Sequence, residues 1–274
     1  MSYFINLPLS YAAENNHYIE YGLKHGLWPE IGIDAWSMQQ LPKAWHINLA
    51  DRLHQAGLSC SVHLPFFDLR PGSLDNGILE ASRKRLQEAV ELAKIYQPRL
   101  MIGHPSFDPW QHVDHFDEWL ARSKETWRSI LALWPDGPPL YLENVHEKDP
   151  LPLLKLLDYM HEKRIGLCLD LGHWFSYAQG CKKDNLRFWV DAAAPYLRHL
   201  HLHDNDGSGD QHKGLGQGTI PVKTFLALLA EKGLCPTFTL EPHSLEDFKH
   251  SHDYIEVNKS FFEPLFLSTH GGVS

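Results

Sequence analysis

Eight short apolar runs recur along this chain, and segments with helical periodicity lie between them. The runs cover residues 3–7, 30–33, 59–64, 99–104, 140–143, 165–170, 199–203 and 237–241. Their starts lie about 25 to 41 residues apart, the length of a strand–helix unit. Alternating strands and helices predict a parallel sheet, and eight repeats predict its closure into a (β/α)8 TIM barrel. The 274 residues suit one such barrel, with no linker or shift in composition to mark a second domain. The reading is therefore an α/β chain with a single domain over residues 1–274, fraying near 266–274.

The segments between the runs carry the stripes that such a barrel needs on its outer helices. Leu79, Leu86, Val90 and Ala93 share one helical face, as do Phe116, Leu120, Trp127, Ile130 and Trp134. Leu153, Leu156, Leu157 and Met160 follow Asp149-Pro150. Phe225, Leu226 and Leu229 follow Pro221, with Gly233 where a helix C-cap belongs. These are core faces, and packing alone accounts for them.

The polar residues fall elsewhere. Run after run ends on a metal-ligand type: His63, His104, Glu143, Asp170 with His173 just beyond, His201, and Glu241, while the loop after the seventh run adds Asp210 and His212. In 199–203 the histidines alternate with Leu200 and Leu202, so the imidazoles share one face of a strand. Thr239 and Glu241 alternate with Phe238 and Leu240 in the same way, which turns the polar set to the barrel axis and the apolar set to the helices. A barrel gathers its strand C-termini at one mouth, where catalysis is housed. Four carboxylates held together there repel unless cations or protons intervene. Five histidines beside them supply neutral donors, so the arrangement points to divalent metal ions. Imidazole with carboxylate and no thiolate suits zinc, manganese or iron. His199 is expected inside the barrel. His17, His25, His46, His54, His161, His250 and His252 lie on helical or loop stretches and read as surface residues, while His146, His203 and His243 read as mouth-lining.

Composition narrows the partners. A formal charge of −9 disfavours a nucleic-acid phosphate backbone. No apolar run approaches the roughly 20 residues of a membrane span, and the first ten residues lack a secretory pattern. The scattered Cys60, Cys168, Cys181 and Cys235 form no Cys-x-x-Cys pair, which fits reduced thiols in a cytoplasm.

Asp-x-x-His at Asp170 and His173, His-Leu-x-Asp at His201 and Asp204, and Asp-x-His followed by Leu-Gly-x-Gly-x-Ile from Asp210 to Ile220 occur in order. With the strand-end ligands, this series resembles the xylose isomerase-like barrels of AP endonuclease family 2, and within them the endonuclease IV branch. That resemblance implies up to three zinc ions. His63, His104 and Glu143 would hold one, and Glu143 would bridge to a second held by Asp170, His201 and Glu241. His173, Asp210 and His212 would hold the third. Sugar isomerases and epimerases of the superfamily use one ion on a Glu-Asp-His-Glu quartet, here Glu143, Asp170, His201 and Glu241.

Both readings share that quartet, with Glu143 and Glu241 as the catalytic pair. Three divalent ions against four carboxylates leave about +2, suited to a phosphodiester anion, whereas one ion against the quartet leaves about −1, tolerable for a neutral sugar. The completeness of the ligand set favours a multi-metal phosphodiesterase. The alternative is a single-metal ketose isomerase or epimerase, and a non-catalytic binding barrel is a third reading. The loop after His63 carries Phe66, Phe67 and Arg70 but no cationic cluster, so a small phosphorylated molecule is expected rather than abasic DNA. The superfamily's cobamide phosphodiesterases extend that class to a corrinoid nucleotide loop. Arg70, Lys213 and His203 are the expected substrate contacts.

Overall fold

The computed structural model describes residues 3–267. Eight parallel strands close into a barrel in sequence order: β1 Phe4–Pro8, β2 Trp28–Gly32, β3 Ser61–His63, β4 Met101–Gly103, β5 Leu140–Glu143, β6 Ile165–Asp170, β7 Leu197–Leu202 and β8 Thr237–Leu240. All eight apolar runs are strands of this barrel. Several are shorter than their hydrophobic signal, because the apolar pattern continues into the loops. As a result His104, His203 and Glu241 stand one residue beyond their strands. Among the described residues, no helix is long and apolar enough to cross a membrane.

The helical stripes pack as their spacing requires. Leu86, Val90 and Ala93 of helix Asn76–Tyr96, and Trp127 and Ile130 of helix Phe116–Ala132, are buried in the main core between barrel and helices. Gly233 adopts φ +65°, the left-handed conformation expected after helix Val222–Glu231.

Two expectations are corrected. His46 is buried rather than on the surface, with Nδ1 2.7 Å from the Tyr96 hydroxyl, because helix Lys43–Gln55 lays that face on helix Asn76–Tyr96. Burial holds its imidazole below the usual pKa. Phe266 and Leu267, expected in a frayed tail, close helix Lys259–Leu267. Phe266 is buried against Phe238 of β8 and Tyr3, with ring centroids 5.9 and 6.4 Å away. The rest of the expected tail, 268–274, lies outside the described residues.

The barrel interior is layered. Phe4, Leu100, Ile102 and Cys168 form a small apolar plug, with Trp28 and Tyr141 against it. Above it sit buried polar side chains: Glu30, Ser61, His199 and Thr239. His201 follows on β7, and the strand ends above it carry the ligand-type residues. The alternation that sends Leu200, Leu202, Phe238 and Leu240 outward leaves the axis to polar groups.

Candidate metal centre

One carboxylate stands at the middle of the mouth. Glu143 closes β5, and its Oε2 lies 3.1 Å from His63 Nε2, 3.0 Å from His104 Nε2 and 3.2 Å from His201 Nδ1. Its Oε1 lies 3.3 Å from His173 Nδ1. His201 Nδ1 is also 3.3 Å from Glu241 Oε1 and 3.9 Å from Asp170 Oδ2. His63 Nδ1 stands 2.9 Å from the Leu64 carbonyl, which only a ring N–H can satisfy, so its Nε2 is the nitrogen free to ligate. Ligand atoms bound at about 2.0–2.1 Å in a tetrahedral site stand roughly 3.3 Å apart. The spacing around Glu143 is of that order.

The Asp170-x-x-His173 motif works as a helix start. Asp170 Oδ1 accepts the His173 N–H and caps helix Leu171–Ser176, which fixes both side chains at the mouth. Asn144 clamps the Asp170 backbone from the next strand end, donating to its carbonyl at 3.1 Å and accepting its N–H at 2.9 Å. Asp170 Oδ2 is then left facing His203 Nε2 at 3.3 Å. Gly172 is required here, since a Cβ would lie 1.9 Å from His203 Cε1.

The glycine-rich loop after β7 is pinned at its base. The backbones of Asp204 and Lys213 exchange hydrogen bonds of 2.8 and 2.9 Å. The Asp204 carboxylate accepts from the N–H groups of Asn205, Gly216 and Ile220. Gly218 fits only without a side chain, because a Cβ would meet the Asn205 carbonyl oxygen at 2.3 Å. The pinch presents Asp210 and His212 to the mouth. Asp210 Oδ2 lies 3.3 Å from His173 Nε2 and 3.1 Å from His212 Nε2, and its Oδ1 is 3.5 Å from His203 Nε2. All nine expected ligands therefore belong to one contiguous cluster.

Electrostatics tie the cluster together. Burial alone would push Glu143 up, but His201 and His104 outweigh it and hold the carboxyl well below its ordinary range. Against burial, neighbouring carboxylates hold His173 and His201 well above the usual imidazole value and push His212 up to about 9. Burial wins at His104, which falls to about 4. Without metal, the carboxylates are balanced by imidazolium protons.

The residues fit divalent ions. Asp170 Oδ2, Asp210 Oδ1 and both ring nitrogens of His201 and of His203 are buried without a well-formed hydrogen bond. Stranded polar atoms are costly and rare in folded proteins, and here they share one pocket. His63, His104 and Glu143 converge closely enough for one ion, as do Glu143, Asp170 and His173. A third group joins His173, Asp210 and His212 to His203.

The sequence model of the xylose isomerase-like TIM barrels matches residues 29–258. This chain belongs to that family. An uncharacterised protein of Methanocaldococcus jannaschii is 25% identical over 209 residues, covering 74% of this chain and 69% of its own. The probable endonuclease 4 of Mycobacterium leprae is 28% identical over 204 residues, 69% of this chain and 76% of its own. A solved D-tagatose 3-epimerase-like protein matches with a TM-score of 0.75 at 21% identity, covering 98% of this chain and 100% of its own. At that identity the likeness is one of fold.

The expected substrate contacts are placed unequally. The Arg70 guanidinium is half-buried and has no carboxylate partner among the described residues; burial lowers His112 and His146, and the nearby Arg70 charge adds to it. Lys213 turns to Asp206 at 3.3 Å. His203 sits below the rim, buried among the ligands and stacked on His212 at 3.9 Å.

Sequence reasoning passed over Glu30, Asn144 and Glu147. A charged residue inside the apolar second run was the available signal for Glu30. Asn144 and Glu147 sit in a loop whose path only the fold reveals.

Proposed function

We propose that the protein is a metal-dependent hydrolase of small phosphodiesters, acting at a multi-ion site on its barrel mouth. The observation that carries this reading is the meeting of His63, His104, His173, Asp210 and His212 with the Glu143–Asp170–His201–Glu241 quartet. A single-ion sugar enzyme would leave those five without a metal role. His63, His104 and Glu143 would hold one ion, Glu143, Asp170, His201 and Glu241 a second, and His173, Asp210 and His212 a third, with zinc, manganese or iron as candidates. Bound ions would lower the pKa of attacking water and draw charge from the phosphoryl oxygens.

The chain's own groups do the rest. Glu143 ties the two halves of the cluster together through both of its oxygens. Burial, with Asp170 and Glu143 adding to it, pushes Glu241 up, which suits it to hold a proton near the reacting atoms. Arg70 supplies the unpaired cation for a phosphate oxygen. Glu30 with Glu143, Asp170, Asp210 and Glu241 makes five carboxylates, which against three divalent ions leave about +1, and one ion against Glu30 and the quartet leaves about −2. Only the first suits an anionic substrate. The loop after His63 has no cationic cluster and the chain is acidic, so a small molecule is favoured over DNA.

The experiment is metal analysis of the purified protein together with turnover of bis(4-nitrophenyl) phosphate. More than one ion per chain, and turnover abolished in the Asp210→Ala/His212→Ala variant, is the expected result. One ion per chain with unchanged turnover in that variant would end the proposal. The intact quartet and the epimerase-like fold support a second reading, a single-ion ketose epimerase. Solvent deuterium appearing at carbon beside the carbonyl of a ketose, with no phosphodiester cleaved, would favour it.

A further inference from the structure

We infer that Glu30 is a positioning residue for the metal centre: it holds the His201 proton on Nε2 and so turns the Nδ1 lone pair into the mouth. The inference rests on the metal reading above but not on which reaction the ions serve.

Glu30 lies in the middle of β2, fully buried. A buried carboxylate is tolerated only where donors surround it. The Ser61 hydroxyl of β3 donates to Oε2 at 2.9 Å, and the Thr239 hydroxyl of β8 donates to it at 2.8 Å. Thr239 has one proton and gives it to Glu30, so its oxygen accepts from His199 Nε2 at 2.9 Å. Every donor in this layer therefore points toward Glu30.

Oε1 faces His201 Nε2 at 3.1 Å, a charge contact that is not an aligned hydrogen bond, and neither atom makes a well-formed hydrogen bond elsewhere. The other side of the same ring faces the mouth, with Nδ1 3.2 Å from Glu143 and 3.3 Å from Glu241. The imidazole thus stands between the hydroxyl-bound carboxylate below and the ligand carboxylates above. An ionised carboxylate accepts and never donates, so its charge favours the N–H on Nε2 and leaves Nδ1 as the metal donor. A carboxylate behind a ligating histidine also raises its basicity and fixes its ring. Oε2 is held by two hydroxyls, so Oε1 is the atom that Glu30 turns to the His201 ring.

The test is titration of metal-free protein with Co2+ alone, followed by visible absorption and calorimetry. Glu30→Gln keeps the volume and one acceptor oxygen but loses the obligate acceptor. It should weaken the Co2+ site containing His201 by about ten- to a hundredfold, with the site at His173, Asp210 and His212 unchanged. A residue that merely filled space would shift the melting temperature of the metal-free protein without changing Co2+ affinity. Co2+ uptake within twofold of wild type would overturn the inference. Should Glu30→Gln not fold, Ser61→Ala removes one donor from Glu30 and touches no ligand. A several-fold weaker Co2+ site is then expected, and unchanged affinity would overturn it equally. Because only binding is read, the two proposals fail separately: metal-loaded wild type that cleaves no phosphodiester loses the reaction and leaves Glu30 standing. Wild type that takes up no Co2+ would bring down both.

Discussion

Three histidines share one face of β7 and its continuation, and their surroundings differ completely. His199, lowest in the barrel, has Nδ1 2.7 Å from the Thr237 hydroxyl and Nε2 2.9 Å from that of Thr239. Burial depresses it to about 3, so it is a neutral, satisfied ring. His203, at the top, is just as buried and has no well-formed hydrogen bond on either nitrogen. His201, between them, has Glu30 on one side and three ligand carboxylates on the other. Burial and residue type are the same for all three. What separates the packing histidine from the two that face the proposed metal site is whether the ring nitrogens are already spent.

The largest test of this contrast is at the hub. Glu143→Ala removes the group shared by His63, His104, His173 and His201 and should lower phosphodiester turnover on the order of 10³-fold or more. Metal analysis should show fewer ions per chain. Full occupancy with wild-type turnover would mean that the histidines, not the carboxylate, organise the mouth.

The same contrast shows what a sequence discloses. Period-two alternation, ligand-type residues near the run ends and the Asp-x-His in the loop after the seventh run gave the strands, the inward faces and the nine residues that cluster at the mouth, because each is a local pattern. The burial of His46 and the role of Glu30 were not local. Tyr96 lies 50 residues from His46, and Thr239 lies 209 residues from Glu30. The pinned loop could be read as glycine-rich, but not as an arm clamped by Asp204, since that clamp depends on backbone N–H groups that carry no sequence signature.

Glu147 sharpens the comparison through a carboxylate. Like Glu30 it is buried with an Oε1 that makes no well-formed hydrogen bond, but its Oε2 receives one donor, the Val145 N–H at 2.6 Å, where that of Glu30 receives two hydroxyls and its Oε1 faces His201. Burial pushes it up to about 7, whereas against burial the imidazoles of His201 and His199 draw Glu30 down to about 2. The Glu147 carboxyl, raised from an ordinary 4.5 to about 7, is protonated in the fold at pH values where the unfolded chain has already lost that proton. Its contribution is therefore fully present below about pH 4.5 and is lost as pH rises through 7. In metal-free protein, Glu147→Gln should remove that loss and gain about 3 kcal/mol over wild type above pH 8, relative to their difference at pH 4. Denaturant unfolding across that range measures it. Parallel pH profiles for the two proteins would show that Glu147 is solvated or paired in solution.

The histidine pair itself gives the next effect. His203→Ala should weaken Zn2+ binding at the His173–Asp210–His212 group by about ten- to a hundredfold, as expected for loss of a ligand or of its immediate support. His199→Ala should leave Zn2+ affinity near wild type and cost about 1–3 kcal/mol of stability, because it removes one hydrogen-bond partner from each of the Thr237 and Thr239 hydroxyls. Competition with a chromophoric chelator gives the affinities, and urea unfolding gives the stabilities. If the two variants bind Zn2+ equally well, hydrogen-bond satisfaction does not distinguish the two histidines and the contrast fails.

The smallest expected effect separates two cations rather than two histidines. Arg70 and Lys213 are both partly exposed, but Asp206 already occupies the Lys213 ammonium at 3.3 Å, while the Arg70 guanidinium has no carboxylate partner among the described residues. An exposed pair such as Lys213–Asp206 contributes about 0–1 kcal/mol, and its charge is largely spoken for. Arg70, by contrast, keeps a planar array of donors suited to two phosphate oxygens at once. Arg70→Met should therefore raise KM for bis(4-nitrophenyl) phosphate by roughly tenfold with kcat little changed, the pattern of a contact made equally to substrate and transition state. Lys213→Met should move KM by about twofold or less. Steady-state kinetics on the two variants decide between the cations. A larger effect at Lys213 would mean that its ammonium leaves Asp206 for the substrate, so that the glycine-rich loop and not the loop after β3 meets the anion.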